Sequence, residues 1–237
     1  MSTSQQSTAV SASQPCLDCS RKSRCLGGLL VEGMPADQAA TVAVTRMVVD
    51  KGEHLYRADD KADYLYVVRG GALKTYVSSI DGNEEIRGFH LAEEVAGLDA
   101  ICQPSFRSSA RALSRTWVCR LPITAVRSRM LESGSFRDRI LANLGREFDR
   151  LNGMLHRERC TADQRVASFL VSQLKSDQTD EHAEIQLPMS RVDLARYLDL
   201  ATETISRVFT RLQARNILRS RGAVCEVVDG DALRALA

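Results

Sequence analysis

The residues with the clearest capacity for chemistry are cysteines, of which the 237-residue sequence has seven. Cys16, Cys19 and Cys25 form a C-x2-C-x5-C pattern on a glycine-bordered segment that we expect to be a flexible arm. Three thiolates this close in sequence can bind one face of a soft metal centre, either zinc or an iron–sulfur cluster, and both centres accept four thiolate ligands. Isolated buried cysteines rarely occur in such a group, so the pattern predicts a metal site.

The fourth ligand must come from another part of the chain. The candidates are Cys102, Cys119, Cys160 and Cys225. Cys119 lies in a predicted strand that ends at Pro122, which would hold its side chain rigidly, whereas Cys102 lies in a predicted loop that could reach the arm. The spacing alone chooses neither residue, and it does not separate zinc from an iron–sulfur cluster.

A second functional pattern lies near the C-terminus. Ser190 and Asp193 have nearly the form of a capping box, a hydroxyl N-cap with an acid three residues later, and predict a short helix over residues 191–197. Asp199 is the expected turn residue, because Asp tolerates a left-handed backbone. A second amphipathic helix is predicted over residues 202–214. Two helices with facing apolar sides and a short turn predict a helix-turn-helix.

The second of these helices carries the residues that we expect to contact DNA. Thr202 is its predicted N-cap, and Glu203, Ser206 and Arg207 project from the exposed side near its N-terminus, together with Thr204. A recognition helix presents its N-terminal side chains to base edges in the major groove. Arg can bind guanine O6 and N7, Glu can accept a hydrogen bond from cytosine N4, and Ser can contact either base type.

The charge of this region supports binding to double-stranded DNA. Residues 191–221 contain seven arginines and three acids, a local charge of +4 in a chain whose net charge is +2. Neutralising phosphates needs such a surface, and the affinity should fall steeply with salt. Residues 217–228 predict a β-hairpin wing with Gly222 at its tip. Since capping, turn, charge and wing agree, we favour DNA binding over an ordinary αα-hairpin with solvated arginines.

Two further parts of the chain must position these sites. Between residues 42 and 122, short β-branched and aromatic segments alternate with turn residues, which predicts an antiparallel barrel or roll. The predicted strands are 46–49, 64–68, 72–77, 85–89 and 116–121. Together with the predicted helices, these strands predict an α+β protein.

Residues 135–160 change to a helical period. Apolar residues recur at steps of three and four with charged residues beside them, the a/d seam of a coiled coil. Such a helix can lie on the core of its own domain, but because the apolar stripe is narrow and the opposite face is highly charged, we favour pairing with the same helix of a second subunit. A further amphipathic helix around residues 166–174 and a polar loop over residues 176–184 lead into the helix-turn-helix. The predicted dimer-interface residues are Leu141, Leu144, Phe148, Leu151 and Leu155.

These patterns divide the chain into five segments. We predict a disordered tail over residues 1–15, the cysteine arm over 16–33, a β-rich sensor domain over 34–132, a dimerisation helix over 133–160 and a winged helix-turn-helix over 161–237.

Composition limits the class of protein. No window approaches the roughly 18 apolar residues of a membrane span, and the N-terminus has neither the basic nor the apolar region of a signal peptide. We therefore expect a cytoplasmic protein without a membrane partner.

With these features placed, the chain from Cys16 onward resembles the cAMP receptor protein/fumarate–nitrate reductase regulator (CRP/FNR) superfamily, and within it the oxygen-sensing FNR branch. The motifs that carry the resemblance are the three-cysteine pattern, residues 85–90 and 97–100, the segment Val118-Cys-Arg-Leu-Pro122, and the Glu-x-x-Ser-Arg motif that begins at Glu203. The resemblance implies a β-roll like that of cyclic-nucleotide-binding domains, and it selects Cys119 as the fourth ligand of a [4Fe–4S] cluster.

The resemblance also implies a mechanism. The cluster ties the arm to the β-roll and prepares the long helix for pairing; oxygen converts or destroys the cluster, the arm is released and the homodimer loosens. A monomer contacts only one half of a palindromic TTGAT…ATCAA site and loses most specific affinity. The loop over residues 79–84 falls where the family contacts RNA polymerase.

The sequence departs from the branch at two places. Asp199 stands in the turn where Gly is frequent. Arg150 and Leu151 stand about where the branch can carry an acid that opposes pairing, so subunits could pair without the cluster.

The sequence leaves three alternative functions to consider. A cyclic-nucleotide-responsive regulator is weakly indicated by residues 106–110, which resemble an Arg-Ser phosphate grip, although residues 94–97 lack the expected Gly-Glu pair. A zinc-stabilised DNA-binding protein would be colourless. A redox enzyme is disfavoured because the sequence has no Gly-rich dinucleotide loop and no second cluster motif, so we expect no enzymatic activity.

Overall fold

A computed structural model describes residue 16 and residues 19–42, 44–174 and 183–237. The predicted tail over residues 1–15 and most of the predicted loop over 176–184 lie outside these residues. The fold is α+β, as the sequence predicts. Two compact units divide the chain, one containing the residues up to Asn83 with Arg87–Phe148, the other containing Glu84–Ile86 with Asp149–Ala237.

The strands between residues 45 and 122 form two antiparallel four-stranded sheets. All five predicted strands are present. Three additional strands have only two to four residues each, too few for alternation of side chains to identify them. One sheet has the order β1 (Thr45–Val49), β8 (Thr116–Pro122), β3 (Tyr64–Gly70), β6 (Val95–Ala96), and the other has the order β2 (His54–Tyr56), β7 (Ser109–Ala112), β4 (Leu73–Ser78), β5 (Glu84–His90).

Aromatic side chains fill the interior of this β-roll. The ring of Tyr56 stacks on that of Phe106 with centroids 3.9 Å apart, and the ring of Tyr66 lies 5.6 Å from that of Tyr56. Gly97 has φ +79°, and a Cβ there would lie 2.9 Å from Phe106. The chain's own rings therefore occupy the centre of the roll.

The segment that carries the cysteines is folded against the roll. Successive turns from Cys19 to Cys25 lead into α1 (Leu26–Val31), which is followed by α2 (Ala36–Thr41). A Cβ on Gly28 would lie 2.1 Å from the carbonyl oxygen of Lys22, so only glycine lets the turn approach the helix. The glycines at the end of the predicted arm, Gly27 and Gly28, are buried within α1, a short helix that the sequence analysis did not predict.

Two helices follow β8. The first, α3 (Ile123–Glu132), was not predicted and was included in the β-rich domain. The second, α4 (Gly134–Leu155), corresponds to the predicted dimerisation helix but ends five residues early, in a turn and a short 3-10 helix at Arg157–Arg159.

The second unit has the elements of a winged helix-turn-helix. The helix α5 ends before Leu174, and Glu184 begins a strand, so both predicted boundaries were wrong. The helices described in the structure include none that is both long and apolar enough to cross a membrane. The elements are α5 (Ala162–Ser172), β9 (Glu184–Gln186), α6 (Arg191–Leu198), α7 (Thr202–Ala214), β10 (Leu218–Arg221), β11 (Val224–Val227) and α8 (Gly230–Leu236), with the strands in the order β10-β11-β9.

The close approach at Gly28 generates a prediction. Gly28→Ala should lower the free energy of unfolding by about 1–3 kcal/mol, the usual scale for overpacking, because the new methyl group meets a backbone carbonyl. Gly153→Ala is the control, since no atom surrounds a Cβ there and α4 should gain about 0.5–1 kcal/mol from the better helix former. Urea denaturation measures both. Unchanged stability in Gly28→Ala would mean that the turn does not rest against α1.

Candidate metal centre and nucleic-acid interface

Four cysteines from two separate parts of the chain line one pocket on the first unit. Cys16 and Cys19 precede α1, Cys25 is its N-cap, and Cys119 lies in the middle of β8. Cys119 is buried, and the other three are half-buried. Cys102 is exposed after a short 3-10 helix and does not line this pocket. Folding therefore brings together the four cysteines that the family resemblance selects.

A glycine leaves room for these thiols to approach one another. The position of a Cβ on Gly27 would be 3.4 Å from the Sγ of Cys16 and 3.7 Å from the Sγ of Cys25. The side chain of Leu121 lies 3.9 Å from the same point. Gly27, the second residue of α1, therefore lines the pocket between the arm and β8. A larger residue at this position would extend into that space.

The environment of the pocket opposes the charged form of two of its thiols, Cys16 and Cys119. Burial, and secondarily the neighbouring thiolates of Cys119, Cys25 and Cys19, raise the pKa of Cys16 to about 12. Burial also raises the pKa of Cys119, again with a contribution from Cys25. A metal centre supplies the positive charge that makes thiolates favourable at such a site.

The donor set fits a soft-metal centre in its chemistry, since four thiols face one pocket. Within the described residues, no three His, Cys, Asp or Glu side chains are close enough to hold a single metal ion. The four thiols therefore share a pocket without already forming a coordination shell.

The local structure of the helix-turn-helix agrees with most of its sequence signals. The Ser190 hydroxyl accepts a hydrogen bond from the backbone N–H of Asp193 and donates one to its carboxylate, at 3.0 and 2.9 Å. Asp199 adopts the left-handed conformation with φ 53° and ψ 55°. Thr202 is not the N-cap of α7. Ala201 is, because its carbonyl already accepts from the N–H groups of residues 204 and 205 and starts the helix one residue earlier.

The residues of α7 that the sequence analysis expects to contact DNA lie in its N-terminal half, where Ser206 and Arg207 donate hydrogen bonds to carbonyl oxygens of the same helix. Glu203, Ser206 and Arg207 are exposed, and Thr202 and Thr204 are half-buried. The opposite side packs into the core of the second unit. The wing forms as predicted from β10 and β11, with φ +62° at Gly222. The buried residues of α7 are Ile205, Val208, Phe209 and Leu212.

Several arginines of this region have structural partners that the sequence did not reveal. Arg191 stacks on Phe209 with its guanidinium carbon 3.5 Å from the ring centroid, and Arg211 forms an ion pair with Asp163. Outside the stretch over which the charge was counted, Arg165 donates from Nη1 to the carbonyl oxygen of residue 198 at 3.1 Å and to that of residue 199 at 2.9 Å. The local charge of +4 therefore overstates the number of arginines available for phosphates.

The helix α4 has two apolar faces. Phe136, Ile140 and Asn143 are buried, and Leu144 is half-buried against the same core. The remaining seam residues are exposed, which is unusual for large apolar side chains in a row. Their exposed fractions are 54% for Leu141, 68% for Phe148, 39% for Leu151 and 78% for Leu155.

The segment that resembles a cyclic-nucleotide grip has intramolecular partners. The backbone N–H of Arg107 donates to the Asp99 carboxylate at 2.7 Å, and its guanidinium donates to Gln103 at 3.0 Å. A carboxylate at this point would repel a phosphate anion. Together with the stacked rings inside the roll, this arrangement disfavours a bound nucleotide.

Comparisons with known proteins agree with the architecture. A cyclic nucleotide-binding domain matches residues 46–133, and a Crp-like helix-turn-helix domain matches residues 164–236. The transcriptional activator protein Anr of Pseudomonas protegens is 37% identical over 226 residues, which cover 94% of this chain and 92% of that protein. The fumarate and nitrate reduction regulatory protein of Escherichia coli is 31% identical over 225 residues, covering 94% and 90%.

Among solved structures, FixK2 from Bradyrhizobium japonicum has a TM-score of 0.72 at 29% identity and covers 82% of this chain and 97% of its own. The helix-turn-helix domain and the relatives that are transcriptional activators identify the chain as a DNA-binding regulator of transcription and not an enzyme. The chain belongs to the CRP/FNR family, in its FNR branch, which confirms the resemblance drawn from the motifs.

Proposed function

We propose that this protein is an oxygen-responsive transcriptional regulator that binds a palindromic promoter site as a homodimer under the control of a [4Fe–4S] cluster. The observation that carries the proposal is the convergence of Cys16, Cys19, Cys25 and Cys119 on one pocket. Relatives named as transcriptional activators and as fumarate and nitrate reduction regulators support it. Its proposed location is the cytoplasm, with access to DNA.

When bound, a [4Fe–4S] cluster would supply an oxygen-labile link between the arm and β8. The chain's own residues connect this link to α4. Cys25 caps α1, and Leu26 and Leu30 of α1 belong to the same buried cluster as Phe136 and Ile140 of α4. Holding the arm in place therefore stabilises the packing of the helix from which the seam projects.

Pairing through the seam places two recognition helices on one DNA duplex. Simultaneous engagement of two half-sites raises the affinity well above that of one. In each half-site, Glu203, Ser206 and Arg207 would contact base edges, and the N-terminus of α7 near Thr202 and Thr204 would bind a phosphate. The proposed site is of the TTGAT…ATCAA type.

The proposed contact with RNA polymerase is the turn between β4 and β5, over residues 79–84. Ile80 at this turn is fully exposed.

The ligand assignment is tested by a pair of cysteine variants. Protein purified without oxygen should show the broad visible absorbance of an iron–sulfur centre, with iron and sulfide in equal amounts. Cys119→Ser should remove the absorbance and the anaerobic DNA binding, because it deletes the ligand on β8, whereas Cys102→Ser should preserve both. A colourless wild-type protein that contains zinc would support the zinc-stabilised alternative, and reversed results for the two variants would show that the ligand assignment is wrong.

Base recognition is tested at Arg207. Arg207→Ala should weaken binding to the specific palindrome by about 1–3 kcal/mol, the scale of a bidentate base contact. Arg215→Ala is the control, because Arg215 is exposed at the opposite end of α7. Fluorescence anisotropy with specific and random duplexes measures both variants. An equal loss on random DNA would show that Arg207 contacts only phosphate.

The pairing surface is tested by placing a charge in the seam. Phe148→Asp should shift the protein from dimer to monomer, because an unpaired carboxylate would be desolvated between two apolar helices. Ala142→Asp places the same side chain on an exposed position of α4 outside the seam and should leave the dimer intact. Analytical ultracentrifugation measures the distribution, and a Phe148→Asp dimer would exclude the seam as the interface.

A further inference from the structure

Basic side chains surround the cysteine pocket. Its lining includes Arg21, Lys22, Arg46 and Arg69, and the acid among the described residues that line it is Glu93. Four thiolates would bring four negative charges into this space. Nearby cations reduce the free-energy cost of that charge. The basic residues therefore have an electrostatic role at the site, beyond solubility.

Two of these arginines are fixed on the sheet beside Cys119. Arg46 on β1 is the register partner of Cys119 on β8, so the two side chains share a face of the sheet. On the other side of β8, Cys119 is paired with Val67 of β3, and Arg69 lies two residues further along that strand. The register of β3 against β8 shifts between Val68 and Gly70, and Arg69, which lies at this irregularity, lines the same pocket as Val67 and Cys119.

Arg69 also contacts the arm. Its Nη2 donates to the Sγ of Cys19 at 3.8 Å, a sulfur hydrogen bond. Its backbone carbonyl oxygen accepts a hydrogen bond from the guanidinium of Arg21. Arg69 thus joins β3 to the arm at two points, one of which is a cysteine of the proposed ligand set.

We propose that Arg69 is a positioning residue for the metal centre: it fixes the Cys19 sulfur and, with Arg46, compensates the negative charge of the four thiolates. This inference rests on the proposed function. Partners of metal ligands orient the ligands and govern how tightly the metal is held. Hydrogen bonds to the sulfurs of iron–sulfur clusters also help to set the reduction potential of the cluster. Arginine suits the role because it stays charged and donates in a fixed direction.

The test measures retention of iron, without oxygen and without DNA. Wild type, Arg69→Met, Arg69→Lys and Arg57→Met are reconstituted anaerobically with ferrous iron and sulfide and then mixed with excess ferrous chelator. The absorbance of the iron–chelator complex gives the rate of iron loss. Arg69→Met should lose iron at least about tenfold faster than wild type. Arg69→Lys keeps the positive charge but lacks the planar guanidinium, so its rate of iron loss should lie between those of wild type and Arg69→Met.

Arg57→Met is the matched control, because Arg57 is an exposed arginine in the same unit outside the pocket. It should lose iron at the wild-type rate, and circular dichroism checks that each variant is folded. If Arg69→Met loses iron at the wild-type rate, the inference is overturned. If that variant does not fold, a wild-type rate in Arg69→Lys overturns it. A wild-type protein that takes up no iron and sulfide would instead overturn the proposed function.

Discussion

The convergence of four thiols on one pocket is the constraint on which the rest of the first unit depends. A thiol is a better ligand when ionised, yet burial raises the pKa of Cys16 and of Cys119 and so favours their protonated forms. Packing, together with the hydrogen bonds from Arg69 to Cys19 and from Arg21 to the Arg69 carbonyl, holds the arm to the roll. A metal centre would convert this electrostatic cost into a stabilising interaction, so the position of the arm and the state of the pocket are coupled.

The consequence of that coupling depends on α1. It is only six residues long, too short to be stable without tertiary packing. Its N-cap is a pocket cysteine, and its apolar side enters the cluster that also buries the start of α4. In the proposed function, a change at the pocket would reach α4 through this shared cluster of packed side chains. The same helix then presents a separate exposed row of leucines and Phe148, which is suited to a second copy of the chain.

The second unit shows that arginines close in sequence differ in their roles. Arg165 binds the carbonyl oxygens at the end of α6 and stabilises the turn between the two helices, while Arg191 packs on Phe209 beneath the recognition helix. Arg207 has its side chain exposed on the side of α7 that faces away from the core. Rigid support beneath the helix and free side chains above it are both needed to read base edges.

The sequence alone determined the local features. Ser190, Asp199 and Gly222 act within a few residues, so a cap, a turn and a wing were predictable from residue type, and the long strands and α4 were predictable from periodicity. Among the elements that were missed, the strands β2, β6 and β9 have two to three residues each and exist because neighbouring strands provide their hydrogen bonds. A local pattern cannot contain that information.

Tertiary structure decided which distant groups meet. Spacing within the arm could not choose between Cys102 and Cys119, whereas the fold places Cys119 on a strand facing the arm and leaves Cys102 exposed. From the sequence, the glycines suggested a flexible arm, because glycine has a flexible backbone. In the structure, Gly28 lies against the carbonyl of Lys22, where a Cβ would clash. Packing likewise decided which arginine side chains are exposed and which contact a ring or a carbonyl oxygen, because the position of an arginine in the sequence does not show where its side chain will lie after folding.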